Sequence, residues 1–129
     1  MSTRRLLLSP CLLGLVVVMA IVAVEAAKAK ITTPVGISMR EYRITVAKPS
    51  VRVGKVAFNI TNFGEDDHDL RVSGPRGYSR VSAEVDPGGR LRFNTALRHA
   101  GTYTLICTIG DHAARGMKAR LKVKAAKNS

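Results

Sequence analysis

The chain has no tryptophan, and only three tyrosines and three phenylalanines among its 129 residues. So few rings leave little with which to stack on nucleic-acid bases, and no helix-turn-helix pattern is present. Acidic residues are also scarce. Nine stand against 21 lysines and arginines, a formal charge of +12. That balance suits an anionic partner or simply maintains solubility. Cysteines number two, Cys11 and Cys107. Cys11 falls in an apolar leader, so Cys107 is alone in the rest of the chain and no internal disulfide can form there. No G-x-S-x-G sequence is present, which removes the nucleophile elbow of a Ser-His-Asp hydrolase. After the leader no helix of convincing length can be read.

The leader is what begins the chain. Met1-Ser-Thr-Arg4-Arg5 is a short basic head, and Leu6 to Val24 is apolar but for Ser9 and Pro10. Val24-Glu25-Ala26 and Ala27-Lys28-Ala29 both place small residues where a signal peptidase cuts. Residues 1–29 therefore read as a secretory signal. The run is nearly long enough to span a bilayer, so a retained N-terminal membrane anchor is the alternative. Either way residues 30–129 make one domain, expected to be a monomer in the periplasm or on the extracellular face of the membrane. Export argues against nucleic acid. It leaves anionic lipid head groups or an acidic redox partner as the company that a basic domain would keep.

Turn signals recur at short intervals: Pro34-Val-Gly36, Lys48-Pro49-Ser50, Asn62-Phe-Gly64, Ser73-Gly-Pro75, Pro87-Gly-Gly89, Ala100-Gly101 and Ile109-Gly110. Between them lie alternating runs. Glu41–Val46 alternates, and Lys55–Thr61 turns Val56, Phe58 and Ile60 to one face. Arg90–Asn94 turns Leu91 and Phe93 inward, and Gly101–Cys107 aligns Tyr103, Leu105 and Cys107. Lys118–Lys124 puts Ala119, Leu121 and Val123 inside and four cations outside. Short strands at this spacing indicate an all-β chain, an antiparallel sandwich or barrel. Met39 reads as core, and His99 as a surface residue in a turn.

A lone thiol in an oxidising compartment needs a reason. Its neighbours supply one: Cys107, His112 and Met117 follow C-x4-H-x4-M spacing. A thiolate, an imidazole and a thioether form a soft-to-borderline set that suits copper better than any hard cation. A second imidazole stands upstream in Glu65-Asp-Asp-His68-Asp69. Two His, one Cys and a weak Met are the donors of a blue-copper site. Methionine would be an odd ligand for zinc.

Tyr103-Thr-Leu-Ile-Cys107-x4-His112-x4-Met117-Lys-Ala-Arg-Leu-Lys-Val resembles the C-terminal half of the cupredoxins, the small blue copper proteins related to plastocyanin and azurin. Val56-Ala-Phe-Asn-Ile-Thr-Asn62-Phe-Gly64…His68-Asp69 resembles that family's first-histidine segment, and the likeness runs from about Ile37 to Lys124. It implies a Greek-key β-sandwich and one copper ion. His68, Cys107 and His112 would be the equatorial ligands, and Met117 the axial one. It also implies one-electron transfer through the edge of His112, ringed by Ile109, Ala113 and Ala114, to a redox protein docking there. The family's Asn after the first His is Asp69 here. Its expected link to the residue after Cys would use the hydroxyl or backbone N–H of Thr108. Only His99 is left over for a further copper site, and no second Cys for a binuclear one, so an enzyme is not expected. A copper carrier, or a module of a metal-uptake system, is the rival reading.

Overall fold

The computed structural model describes residues 32–127. The signal or anchor segment, residues 1–29, lies outside them. Nine strands follow in order: β1 (Thr32–Arg40), β2 (Arg43–Val46), β3 (Ser50–Arg52), β4 (Gly54–Asn62), β5 (Arg71–Gly74), β6 (Tyr78–Val81), β7 (Arg90–Leu97), β8 (Gly101–Ile106) and β9 (Lys118–Lys124). One 3-10 turn, Pro75–Gly77, joins β5 to β6. No helix among the described residues is long and apolar enough to cross a membrane.

Two sheets face each other. One has the order β2-β1-β4-β7, the other β3-β9-β8-β5-β6, and the chain passes repeatedly from one to the other. The all-β sandwich is as expected, but its pairing is mixed. β1 runs parallel to β4 from Thr32↔Lys55 to Met39↔Asn62, and β3 runs parallel to β9. Parallel pairs need a crossover, and here the crossovers are passages through the opposite sheet.

The alternating runs supply the core. Val56, Phe58 and Ile60 of β4 are buried against Val35, Ile37 and Met39 of β1, and Tyr103, Leu105, Leu121 and Val123 face them from the other sheet. Phe58 pairs with Phe93 across β4–β7, with ring centroids 6.2 Å apart. The Tyr103 hydroxyl, at the end of a fully buried side chain, donates to the His99 carbonyl at 3.0 Å.

Two readings of the sequence need correction. Pro34-Val-Gly36 is no turn, because it lies within β1. β2 reaches β1 only from Ile37 onward, so the proline sits where one side of the strand is unpaired and a missing N–H is tolerated. Glu41 and Tyr42 are not strand residues. They form the tight turn between β1 and β2, with Tyr42 at φ 62, a region that favours glycine.

The pairing registers give the sandwich two poles. The ends of β1, β4, β6 and β8 share one pole with the starts of β2, β5, β7 and β9. Every acidic side chain among the described residues lies in the connections at this pole. Glu41 is in the β1–β2 turn, and Glu65, Asp66, Asp67 and Asp69 are in the β4–β5 connection. Glu84 and Asp86 precede β7, and Asp111 precedes β9. His68 is bridged to Val85, which brings the segment before β7 to the same place.

Candidate metal centre

Four connections at the acidic pole meet at one point. His68 enters on the β4–β5 connection, fixed by N–H to Val85 O at 3.2 Å and the reverse bond at 2.7 Å. Asn62, fully buried, clamps the loop before it. Its amide donates to Asp66 O at 2.7 Å and Val85 O at 2.8 Å, and its oxygen accepts from Gly64 N–H at 2.8 Å. Cys107 follows directly on β8. The loop beyond it is a series of tight turns, with His112 N–H on Ile109 O, and Gly110 and Gly116 at φ 47 and 106. Met117 closes the loop. Its N–H donates to His112 O at 3.0 Å, and its carbonyl accepts from Cys107 N–H at 3.2 Å.

The three strongest donors converge. Cys107 Sγ lies 3.9 Å from His68 Nδ1 and 3.7 Å from His112 Nδ1, and all three atoms fall within 4.8 Å of one another. Cys107 and His68 have no exposed surface, and His112 is 7% exposed. A thiol can donate to one imidazole and accept from the N–H of the other, so the three groups can satisfy one another through hydrogen bonds. Their spacing also suits an ion seated between them. Bonds of about 2.0 Å to nitrogen and 2.3 Å to sulfur, opened to a trigonal angle, would set N and S about 3.7 Å apart. The donor set therefore fits a soft or borderline ion. Met117 is fully buried and bonded through its backbone to Cys107 and His112, and His99 stands elsewhere, at the β7–β8 turn.

Around these donors lies a ring of carboxylates. Glu41 Oε1 accepts from Glu65 N–H at 2.6 Å and Asp66 N–H at 2.9 Å, and approaches His68 Nε2 to 3.4 Å. That nitrogen is buried and makes no well-formed hydrogen bond. Gly64 lies so close that any Cβ there would collide with the Glu41 carboxyl. The Asp66 N–H leads the interactions that hold the Glu41 carboxyl down to about 2. Asp66 Oδ2 lies 3.5 Å from His112 Nε2. The Tyr42 ring meets His112 edge-on at 5.5 Å, and the Arg115 guanidinium covers that ring at 3.7 Å. The edge of His112 is thus mostly covered, where an open one ringed by Ile109, Ala113 and Ala114 was expected. Sequence reasoning missed Glu41 and Tyr42 because the turn that carries them has no glycine, proline or asparagine.

Solved structures of similar shape identify the fold. A dithionite-reduced auracyanin from Roseiflexus castenholzii superposes with a TM-score of 0.60 at 19% identity, over 74% of this chain and 98% of that one. Auracyanin B gives 0.60 at 18% identity, over 72% and 88%. Auracyanin A, a "blue" copper protein from the green thermophilic bacterium Chloroflexus aurantiacus, gives 0.58 at 20% identity, over 72% and 99%. The chain has the cupredoxin fold. No protein-family model and no curated protein matches it in sequence.

The cupredoxin fold brings Asp69 and Thr108 together, 39 residues apart in sequence, as the resemblance implied. Thr108 N–H donates to Asp69 Oδ1 at 2.5 Å, and the Thr108 hydroxyl donates to Oδ2. The two ligand segments are thereby tied to each other, one residue from each of His68 and Cys107. Asp69 is 5% exposed, so both bonds are charge-assisted and shielded. Asp69→Ala should cost about 2–4 kcal/mol of apoprotein stability in chemical denaturation. Asp69→Asn, which keeps an acceptor for one bond, should cost about half as much.

Titration of the donors sets a pH window for the apoprotein. Burial, then the neighbouring His112, lowers the pKa of His68 below its usual 6.5. The unfolded chain then binds that proton more readily, so stability present above about pH 6.5 is lost as pH falls. Burial pushes the Cys107 thiol up from its usual 9.0. The unfolded chain then ionises first, so stability is lost as pH rises beyond about 9. Denaturation midpoints of the apoprotein should peak between these limits. Cys107→Ser should flatten the alkaline side and His68→Gln the acid side.

Proposed function

We propose that the chain is an exported electron-transfer protein that binds one copper ion through His68, Cys107 and His112, with Met117 as the weak axial donor. The observation that carries this reading is one buried thiol at 3.7 and 3.9 Å from two imidazole nitrogens. Zinc would find the same three donors but little use for a thioether. When bound, copper supplies a reversible one-electron change. Cupredoxin-fold neighbours and the apolar leader support the electron-transfer role and export.

The protein's own residues do the rest. Strand β8 and the Asp69–Thr108 bonds hold Cys107 rigidly, and the backbone bonds of Met117 fix the far end of the loop. A site held this firmly between two charge states needs little rearrangement when an electron moves. Burial excludes water and protects the thiol from oxidation. Glu41, Asp66 and Asp69 add negative charge near the donors, which favours the more oxidised ion. Electrons would pass by His112, the donor with surface exposure. Phe63, 53% exposed at the end of β4, adds an apolar contact at that pole. The overall charge suggests an acidic partner docking near His112. The carboxylates around the site favour one with a basic patch instead.

Among the described residues this is the one group of three or more His, Cys, Asp or Glu side chains close enough to share an ion. Adding Cu(II) to the purified protein should give an intense blue or green colour at one ion per chain. Reduction should bleach it reversibly, and Cys107→Ser should abolish it. A protein that binds only Cu(I), without colour, would instead be a copper carrier.

A further inference from the structure

The pole opposite the metal centre carries a second feature, independent of copper. β6 and β7 are the edge strands of their sheets, and between them runs a cleft of about 370 Å³. Arg76, Arg80, Arg98 and His99 line it, and the Tyr78 hydroxyl is bonded to that of Thr95 across it. No carboxylate lines the cleft, and among the described residues none of the three arginines is in an ion pair. Arg76 occupies a left-handed backbone position, φ 57, that glycine would fill with less strain. Such strain at a residue whose only distinction is its charge points to use of that charge.

The basic surface continues. A neighbouring hollow shares Thr95 and Ala96 and adds Lys55, Arg92 and Thr32. β1 begins at Thr32, opposite Lys55, so the chain enters the domain at this pole. Ahead of Ile31 the sequence reads Glu25-Ala-Ala-Lys28-Ala-Lys30, preceded by the apolar run Leu6 to Val24. With all acids of the described residues at the metal pole, the far pole is uniformly positive.

We propose that this pole is a docking surface for anionic phospholipid, with the β6–β7 cleft taking the phosphate of a head group. Three guanidinium groups and an imidazole around one hollow match the charge and the several acceptor oxygens of a phosphodiester. Guanidinium also suits phosphate geometry better than ammonium does. The sequence ahead of Thr32, with Lys28, Lys30 and an apolar run, favours a lipid surface over nucleic acid, for which the domain offers few stacking rings. Docked this way, the domain turns its metal pole away from the bilayer, toward partners in the aqueous phase. The two poles are separated by at least the six residues of β8, about 20 Å. Each cation near an anionic surface contributes about fivefold in affinity, and that gain falls with salt.

The test uses the full chain in vesicles, so that any attachment through the N-terminus is common to all arms. Amide hydrogen exchange at residues 76–80 and 95–99 is compared in phosphatidylcholine vesicles with and without phosphatidylglycerol. Exchange should slow several-fold only with phosphatidylglycerol, and recover in high salt. The exposed charge reversals Arg76→Glu, Arg80→Glu and Arg98→Glu together should abolish the slowing, while amides of β8 exchange as before. Equal exchange in both lipids, or slowing that survives the triple variant, overturns the proposal. Slowing by soluble poly-glutamate or duplex DNA but not by the anionic vesicles overturns it too, and reassigns the pole to another polyanion.

Discussion

One buried sulfur lies at nearly the same distance from two buried imidazole nitrogens, in a site closed to water. That convergence is the constraint around which the acidic pole is arranged. Without an ion the thiol can donate to one imidazole and accept from the N–H of the other. With a soft or borderline ion every donor is used. The surrounding bonds are those needed to keep such a site from collapsing: Asn62 clamping the His68 loop, Asp69 joining it to Thr108, and Met117 bonded to the backbone of Cys107 and of His112. The strands supply the rigid frame, and the turns between them supply the chemistry.

Much of this was legible in the chain because it is local. Cys107, His112 and Met117 sit within eleven residues, between two alternating runs, and their spacing needs no tertiary knowledge. Donor chemistry then asks for a second histidine, and the family likeness names His68 and suggests the Asp69–Thr108 link. Five alternating runs predicted strands, and all five, β4, β7, β8, β9 and β2, are strands along most of their length. The fifth contains the turn that carries Glu41 and Tyr42. β3, β5 and β6 are three or four residues long, too short for a period of two to stand out. β1 was hidden by a proline that only an incompletely paired strand can accept. The mixed pairing was hidden as well, because alternation says which face is buried and nothing of which neighbour lies alongside.

Charge shows the same limit. The count of +12 describes a basic protein, and the sequence shows one acidic run, at residues 65–69. Folding adds Glu41, Glu84, Asp86 and Asp111 to that run and leaves the other pole, among the described residues, without an acid. The molecule is therefore two surfaces, an acidic one around the candidate metal centre and a basic one where β1 begins. Glu41 is the residue in which fold and site meet most closely. Its carboxylate orders the loop ahead of His68 through two backbone N–H groups while standing against the imidazole itself. Second-layer carboxylates of this kind orient a ligand ring and raise its basicity.

X-ray absorption at the copper edge of the loaded protein tests the account most directly, since it counts the atoms bound to the ion. The account predicts one short sulfur neighbour and two imidazole nitrogens, with at most a weak, distant second sulfur. A shell of oxygen and nitrogen alone, with no sulfur, would contradict it.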